Sequence, residues 1–158
     1  MTDDSEIQDL EAALGGYKGK VANTFKGTLT WDKDLIFLGR TQKGYEIDFD
    51  ANVEWGCQAS EPLMMSLAAC ISTDCLMFLQ KMKVTITSLK TNITGFKRET
   101  PPQHFTGFDI ILYIAGKNLT EKKVDRAIDL SITKYCSIYH SLRSDIKLNI
   151  KYELTKEE

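Results

Sequence analysis

Residues 60–82 read SEPLMMSLAACISTDCLMFLQKM, and the fold turns on this stretch. Serine is a favoured N-cap, and proline is tolerated in a first helical turn where its missing N–H costs nothing. Ser60-Glu61-Pro62 therefore predicts a helix start capped by Ser60. From Leu63 to Met82 the apolar residues cover nearly the whole circumference. A helix apolar all round lies inside something rather than on it. One chain of 158 residues has little material to wrap both sides of such a helix, so the pattern predicts a partner subunit. Ser66, Ser72, Thr73, Asp74, Gln80 and Lys81 break the stretch, and no apolar run approaches the ~18 residues of a membrane span.

Ahead of this helix, Lys18 to Ala51 is β-prone. Val21–Phe25, Thr28–Trp31, Leu35–Thr41 and Tyr45–Asp50 alternate with the turn segments Lys26-Gly27, Asp32-Lys33-Asp34 and Lys43-Gly44, which predicts an antiparallel meander. In its last run Tyr45, Ile47 and Phe49 face one way and Glu46, Asp48 and Asp50 the other, leaving one wet face. Residues 5–14, SEIQDLEAAL, place Ile7, Leu10 and Leu14 at i, i+3, i+7 before Gly15-Gly16. That predicts a short helix or terminal arm over residues 1–17.

Beyond the helix, Val84–Arg98 and His104–Ala115 read as long strands joined at Thr100-Pro101-Pro102-Gln103. Thr120 caps a second helix predicted to run to about Arg143, with the stripe Val124, Ala127, Ile128, Ser131, Tyr135, Ile138 and Leu142. A last strand, Ile146–Leu154, turns Ile146, Leu148, Ile150 and Tyr152 inward. Strands, helix, two strands, helix and strand make an α+β order, one domain over residues 18–158.

The composition is ordinary for a globular chain, 42% hydrophobic and 27% charged. With 20 basic against 22 acidic residues, no positive excess exists to hold a phosphate backbone, so no nucleic acid partner is expected. The opening Met1-Thr2-Asp3-Asp4-Ser5-Glu6 is acidic and lacks the apolar core of a signal peptide. The expectation is a cytoplasmic protein without membrane attachment. Its four cysteines are too few for a disulfide framework and would be kept as thiols.

Those thiols are the chemistry available. A helical cysteine is by default a small hydrophobe, and that reading covers Cys70 and Cys136 equally well. Around Cys70, however, Ser66, Ala68 and Ala69 leave room above a sulfur. Asp74 follows one turn later on the same face, and a carboxylate raises a neighbouring thiol's pKa. Asp74 is thus either paired with a cation or works against reactivity. Cys75 lies about 140° round the helix from Cys70, so the two cannot share a ligand face. Cys57 falls in the loop after Trp55-Gly56. Cys136 and His140 stand at i, i+4, either a thiol–imidazole pair or a thiol beside a solvent-facing ring. With no CxxC, HExxH or paired-histidine spacing, and no glycine-rich phosphate loop or GxSxG, neither a metal nor a cofactor is expected.

SEPLMMSLAACISTDCL, followed by FKRETPPQHFTGFDIILYIAGKNLTEKKVDRAIDLSITKYCSIYHSL, closely resembles the OsmC/Ohr family of osmotically induced and organic-hydroperoxide-resistance proteins. The meander FLGRTQKGYEIDFDA is similar as well, so the resemblance spans about Leu29 to Leu154. Its most specific elements are Ala-Ala-Cys at Cys70 and Lys-Tyr-Cys-Ser at Cys136. The resemblance implies an OsmC-like α+β fold with antiparallel sheets and two main helices, forming an intertwined homodimer whose central helices lie between two sheets. It also implies a cysteine-based thiol peroxidase that reduces organic hydroperoxides in the oxidative or osmotic stress response. Cys70 is then the nucleophile and Cys136 the resolving thiol, with an alkyl or lipid hydroperoxide as substrate and a dithiol as reductant.

In the family's peroxidases an N-terminal arginine and a glutamate before the helix ready the nucleophile. Glu61 matches that glutamate, nine residues ahead of Cys70. Arg40 is the arginine of the meander. Pro62 follows Glu61 rather than preceding it, and Arg40 falls a few residues late. These departures make the chain resemble the family's less characterised OsmC-like branch. The alternative is a dimeric ligand-binding or scaffold protein of the same fold with poorly activated thiols.

Overall fold

The computed structural model describes residues 23–157, together with Ala12. Apart from Ala12, which is helical, the predicted helix over residues 5–14 and the arm at 1–17 lie outside the described residues. The chain divides into two compact units, residues 1–62 and 63–158.

In the first unit, β1 (Gly27–Lys33), β2 (Ile36–Thr41) and β3 (Glu46–Asp50) form an antiparallel sheet in the order β1-β2-β3. The meander begins at Gly27. Asn23 to Phe25, the described part of the expected earlier strand, are not extended into the sheet. Leu29 pairs with Gly39 and Trp31 with Phe37, and on the other side Gly39 pairs with Ile47 and Phe37 with Phe49. Directly paired residues share a face, so one side of this sheet carries Leu29, Trp31, Phe37, Ile47 and Phe49. Gly39 makes room there for the Phe49 ring, from which an added Cβ would stand 2.9 Å. The opposite face carries Arg40 against Glu46 in register. Asp50, expected on the wet face, is instead buried. Its carboxylate accepts the backbone N–H groups of Asn52, Glu54 and Trp55 at 2.8, 3.0 and 3.1 Å, which folds the chain back toward the next helix.

That helix, α1, runs Ser60–Lys81. Ser60 is inside it rather than capping it. The Glu61 carboxylate reaches back to the Gln58 N–H at 2.7 Å, the carboxylate half of a capping box. Leu67, Ala68, Ile71, Cys75, Phe78 and Leu79 are buried along α1. Its most apolar 18-residue window has a mean hydropathy of 1.6, enough by length and composition to cross a membrane although the apolar run is broken, and 39% of that window is buried within the protein. A buried core helix meets the same test.

In the second unit β4 (Thr85–Lys97), β5 (Phe105–Lys117) and β6 (Lys147–Lys156) form a sheet with β5 in the centre. Phe108, Ile110, Leu112 and Ile114, alternate residues of β5, are buried on one face of this sheet. A Ser72–Thr91 hydroxyl pair at 2.6 Å ties α1 to β4. β4 and β5 are antiparallel, as expected, but β5 and β6 are parallel. The helical segment between them is a crossover, which a parallel pair requires. Along β6 the inward alternation of Leu148, Ile150 and Tyr152 holds.

Within that crossover, α2 (Glu121–Leu130) starts at Thr120, whose hydroxyl accepts the Lys123 N–H at 3.4 Å, as the cap reading requires. The predicted single helix to Arg143 is nevertheless broken. Residues Ser131–Tyr135 form a π-helical turn, and Cys136 leaves helical geometry at φ −69° and ψ 96°. A four-residue helix, α3 (Ser137–His140), follows.

Candidate active site

The break in the crossover is what builds the site. An α-helix turns 100° per residue, which would leave Ser131 and Cys136 about 140° apart. The wider turn is closed by the Cys136 N–H donating to the Ser131 carbonyl at 2.8 Å, so both residues come to α1. There Cys70 and Asp74, one turn apart on α1, meet them. The sulfurs of Cys70 and Cys136 and the Asp74 carboxylate all lie within 4.8 Å of one another. Cys136 is fully buried and Cys70 half-buried, so Cys70 is the sulfur with access to solvent.

The two thiols are unequal. The Cys136 thiol donates to the Cys70 sulfur, which brings the Cys70 pKa down to about 6 against the desolvation that opposes it. The Ile138 backbone N–H and the Ser137 hydroxyl add to the lowering, while the Asp74 charge works the other way. Cys136 is driven far up, first by that same hydrogen bond and then by burial and the charges of Cys70 and Asp74. The Tyr139 N–H at 3.4 Å opposes this rise without reversing it. The anion therefore sits on Cys70, which has donors on the 136–138 segment, and the proton stays on Cys136.

Asp74 is 4% exposed, and Ser131, fully buried, donates its hydroxyl to the Asp74 Oδ2 at 2.9 Å. Two sulfurs and a carboxylate are also ligand types that a soft divalent ion accepts. Spacing along the chain does not disclose this group because its members come from two elements.

The charged residues expected beside Cys70 have local partners in residues 1–62. Arg40 donates through Nε to Glu46 Oε1 at 2.8 Å and forms a close ion pair with it. Glu61 holds the Gln58 N–H. His140 is exposed, edge-on to Tyr139 at 5.6 Å between ring centres, and is not among the groups acting on the Cys136 thiol. Cys75 is fully buried, and desolvation pushes its thiol up to about 12. Cys57 donates to the Asp48 carbonyl at 3.3 Å. The donors Ser137 and Ile138, and the Ser131 link to Asp74, are absent from the sequence reading. Ser137 directly after Cys136 is the one local signal that points to them.

Known proteins resemble this chain in sequence and in fold. Residues 50–151 match the family of OsmC-like proteins. Protein YhfA of Escherichia coli K12 is 32% identical over 127 residues, 78% of this chain and 93% of that protein. A hypothetical protein from Aquifex aeolicus VF5 has a similar fold, with a TM-score of 0.78 and 26% identity over 87% of this chain and all of its own. The organic hydroperoxide resistance protein OsmC from Legionella pneumophila shares the fold at a TM-score of 0.62 and 11% identity, covering 85% of this chain and 99% of its own. By the family match and the YhfA identity, this chain belongs to the OsmC-like protein family.

Proposed function

We propose that the protein is a homodimeric, cytoplasmic thiol peroxidase that reduces organic hydroperoxides through Cys70 and Cys136. The observation that carries this reading is the unequal thiol pair: an accessible Cys70 favoured as thiolate, in reach of a buried Cys136 that keeps its proton. The Cys70 thiolate attacks the terminal oxygen of the hydroperoxide. The O–O bond breaks, the alkoxide takes up a proton and leaves as the alcohol, and Cys70 becomes a sulfenic acid. The Cys136 sulfur then attacks the Cys70 sulfur, water leaves, and a dithiol reduces the resulting disulfide.

The alternative, a binding protein with poorly activated thiols, draws on the Asp74 charge. That charge is outweighed at Cys70 by its hydrogen bonds. The test is Cys136→Ser, treated with an alkyl hydroperoxide in the presence of a sulfenic-acid trap. Trapping at Cys70 at the rate of peroxide loss is the expected result, and an unmodified Cys70 contradicts the reading.

A further inference from the structure

Within the proposed reaction the second step has an unsolved proton. In the reduced protein the buried Cys136 thiol faces the Cys70 sulfur within 4.8 Å and keeps its proton there. Once Cys70 is oxidised its sulfur is an electrophile and no longer accepts that hydrogen. Cys136 can attack only as its S–H bond breaks, and its burial keeps bulk water from taking the proton. The carboxylate of Asp74 is within 4.8 Å of the Cys136 sulfur, and the buried Ser131 hydroxyl donates to it at 2.9 Å.

We propose that Asp74 is the proton acceptor for Cys136 in the disulfide-forming step. The Cys136 S–H proton passes to the Asp74 carboxylate as the Cys136 sulfur bonds to the Cys70 sulfur. The S–O bond of the sulfenic acid breaks, and the departing hydroxide takes the proton from Asp74 as water, restoring the carboxylate. Cys136 is oxidised and Cys70 reduced by the same electron pair. The inference rests on the Cys70–Cys136 reading, but it concerns a proton transfer that peroxide is not needed to reveal. Asp74 thereby has opposite effects on the two steps, since its charge disfavours the Cys70 thiolate and its basicity assists Cys136.

The experiment uses the full chain in a Cys57→Ser background and dithionitrobenzoate in place of peroxide. Cys70 attack on the reagent releases a first thionitrobenzoate. Cys136 attack on the mixed disulfide releases a second, and only this one requires the Cys136 proton to leave. Asp74→Asn is expected to leave the first release as fast or faster and to slow the second on the order of 100-fold. An unchanged second release overturns the proposal. If Asp74→Asn does not fold, Ser131→Ala takes its place: a second release slowed several-fold relative to the first supports the role, and an unchanged ratio of the two overturns it. Should peroxide leave wild-type Cys70 unoxidised while Asp74→Asn still slows the second release, the peroxidase reading falls and the role of Asp74 stands.

Discussion

The Cys136 and Cys70 sulfurs lie within 4.8 Å of each other, and the hydrogen bond between them sorts the pair into an anion and a proton holder. It exists because the crossover abandons α-helical geometry at Ser131–Tyr135 and presents Cys136 to α1 at a helix break. A free thiol near pKa ~8.5 is only a few per cent ionised at neutral pH, so this bond decides reactivity.

The pH dependence of Cys70 follows in sign. A lowered pKa keeps the thiolate through neutral pH and loses it only as the pH falls through about 6. Iodoacetamide labelling of Cys70 should show that midpoint. Cys136→Ala removes the largest cause of the lowering, so the midpoint should rise by roughly one unit or more, toward the ordinary thiol range. An unmoved midpoint would place the stabilisation elsewhere.

Arg40, a few residues late for the family's arginine, is the cation that the meander offers for this chemistry. Its guanidinium is already bonded to Glu46. Arg40→Met should therefore shift the Cys70 labelling midpoint by less than Cys136→Ala does. A larger shift in Arg40→Met would make the guanidinium the main stabiliser of the thiolate.

Cys75 should be inert in the folded protein. Full burial pushes its thiol up to about 12, so it carries no appreciable thiolate near neutrality. Peptide mapping after native labelling should find Cys70 modified and Cys75 free, with Cys75 reacting only after denaturation. Cys75→Ser should leave peroxide turnover unchanged and destabilise by about 1–3 kcal/mol, because the hydroxyl enters an apolar site.

Sedimentation should give twice the chain mass at micromolar concentration. The meander carries Leu29, Trp31 and Ile47 on one face at 62%, 61% and 41% exposure in the single chain. A three-stranded sheet with such a face needs cover. A folded monomer at that concentration would defeat the homodimer.

The elements that were legible in the sequence are those set by local chemistry. The residue 60–82 helix was evident from composition. The meander followed from its turn residues, and the Thr120 cap from a hydroxyl that finds the Lys123 N–H. The break at Cys136 was not legible, because Ser131 to Leu142 keep near-helical apolar spacing and nothing such as proline marks a π turn. The parallel pairing of β6 was equally hidden, since alternation along Lys147–Lys156 is the same in either direction. For the site, the family motifs singled out both sulfurs. The donors on 137 and 138 and the Ser131–Asp74 bond depend on tertiary placement, which spacing along one helix does not contain.

The most direct test of the central claim is the oxidation product of the reduced wild-type protein. After one equivalent of an organic hydroperoxide, without denaturant, mass mapping should find Cys70 joined to Cys136, with Cys57 and Cys75 still thiols and one alcohol formed per disulfide. Cys70→Ser should consume no peroxide. Full peroxide consumption by Cys70→Ser, or a wild-type chain whose Cys70 and Cys136 both remain thiols, would contradict it.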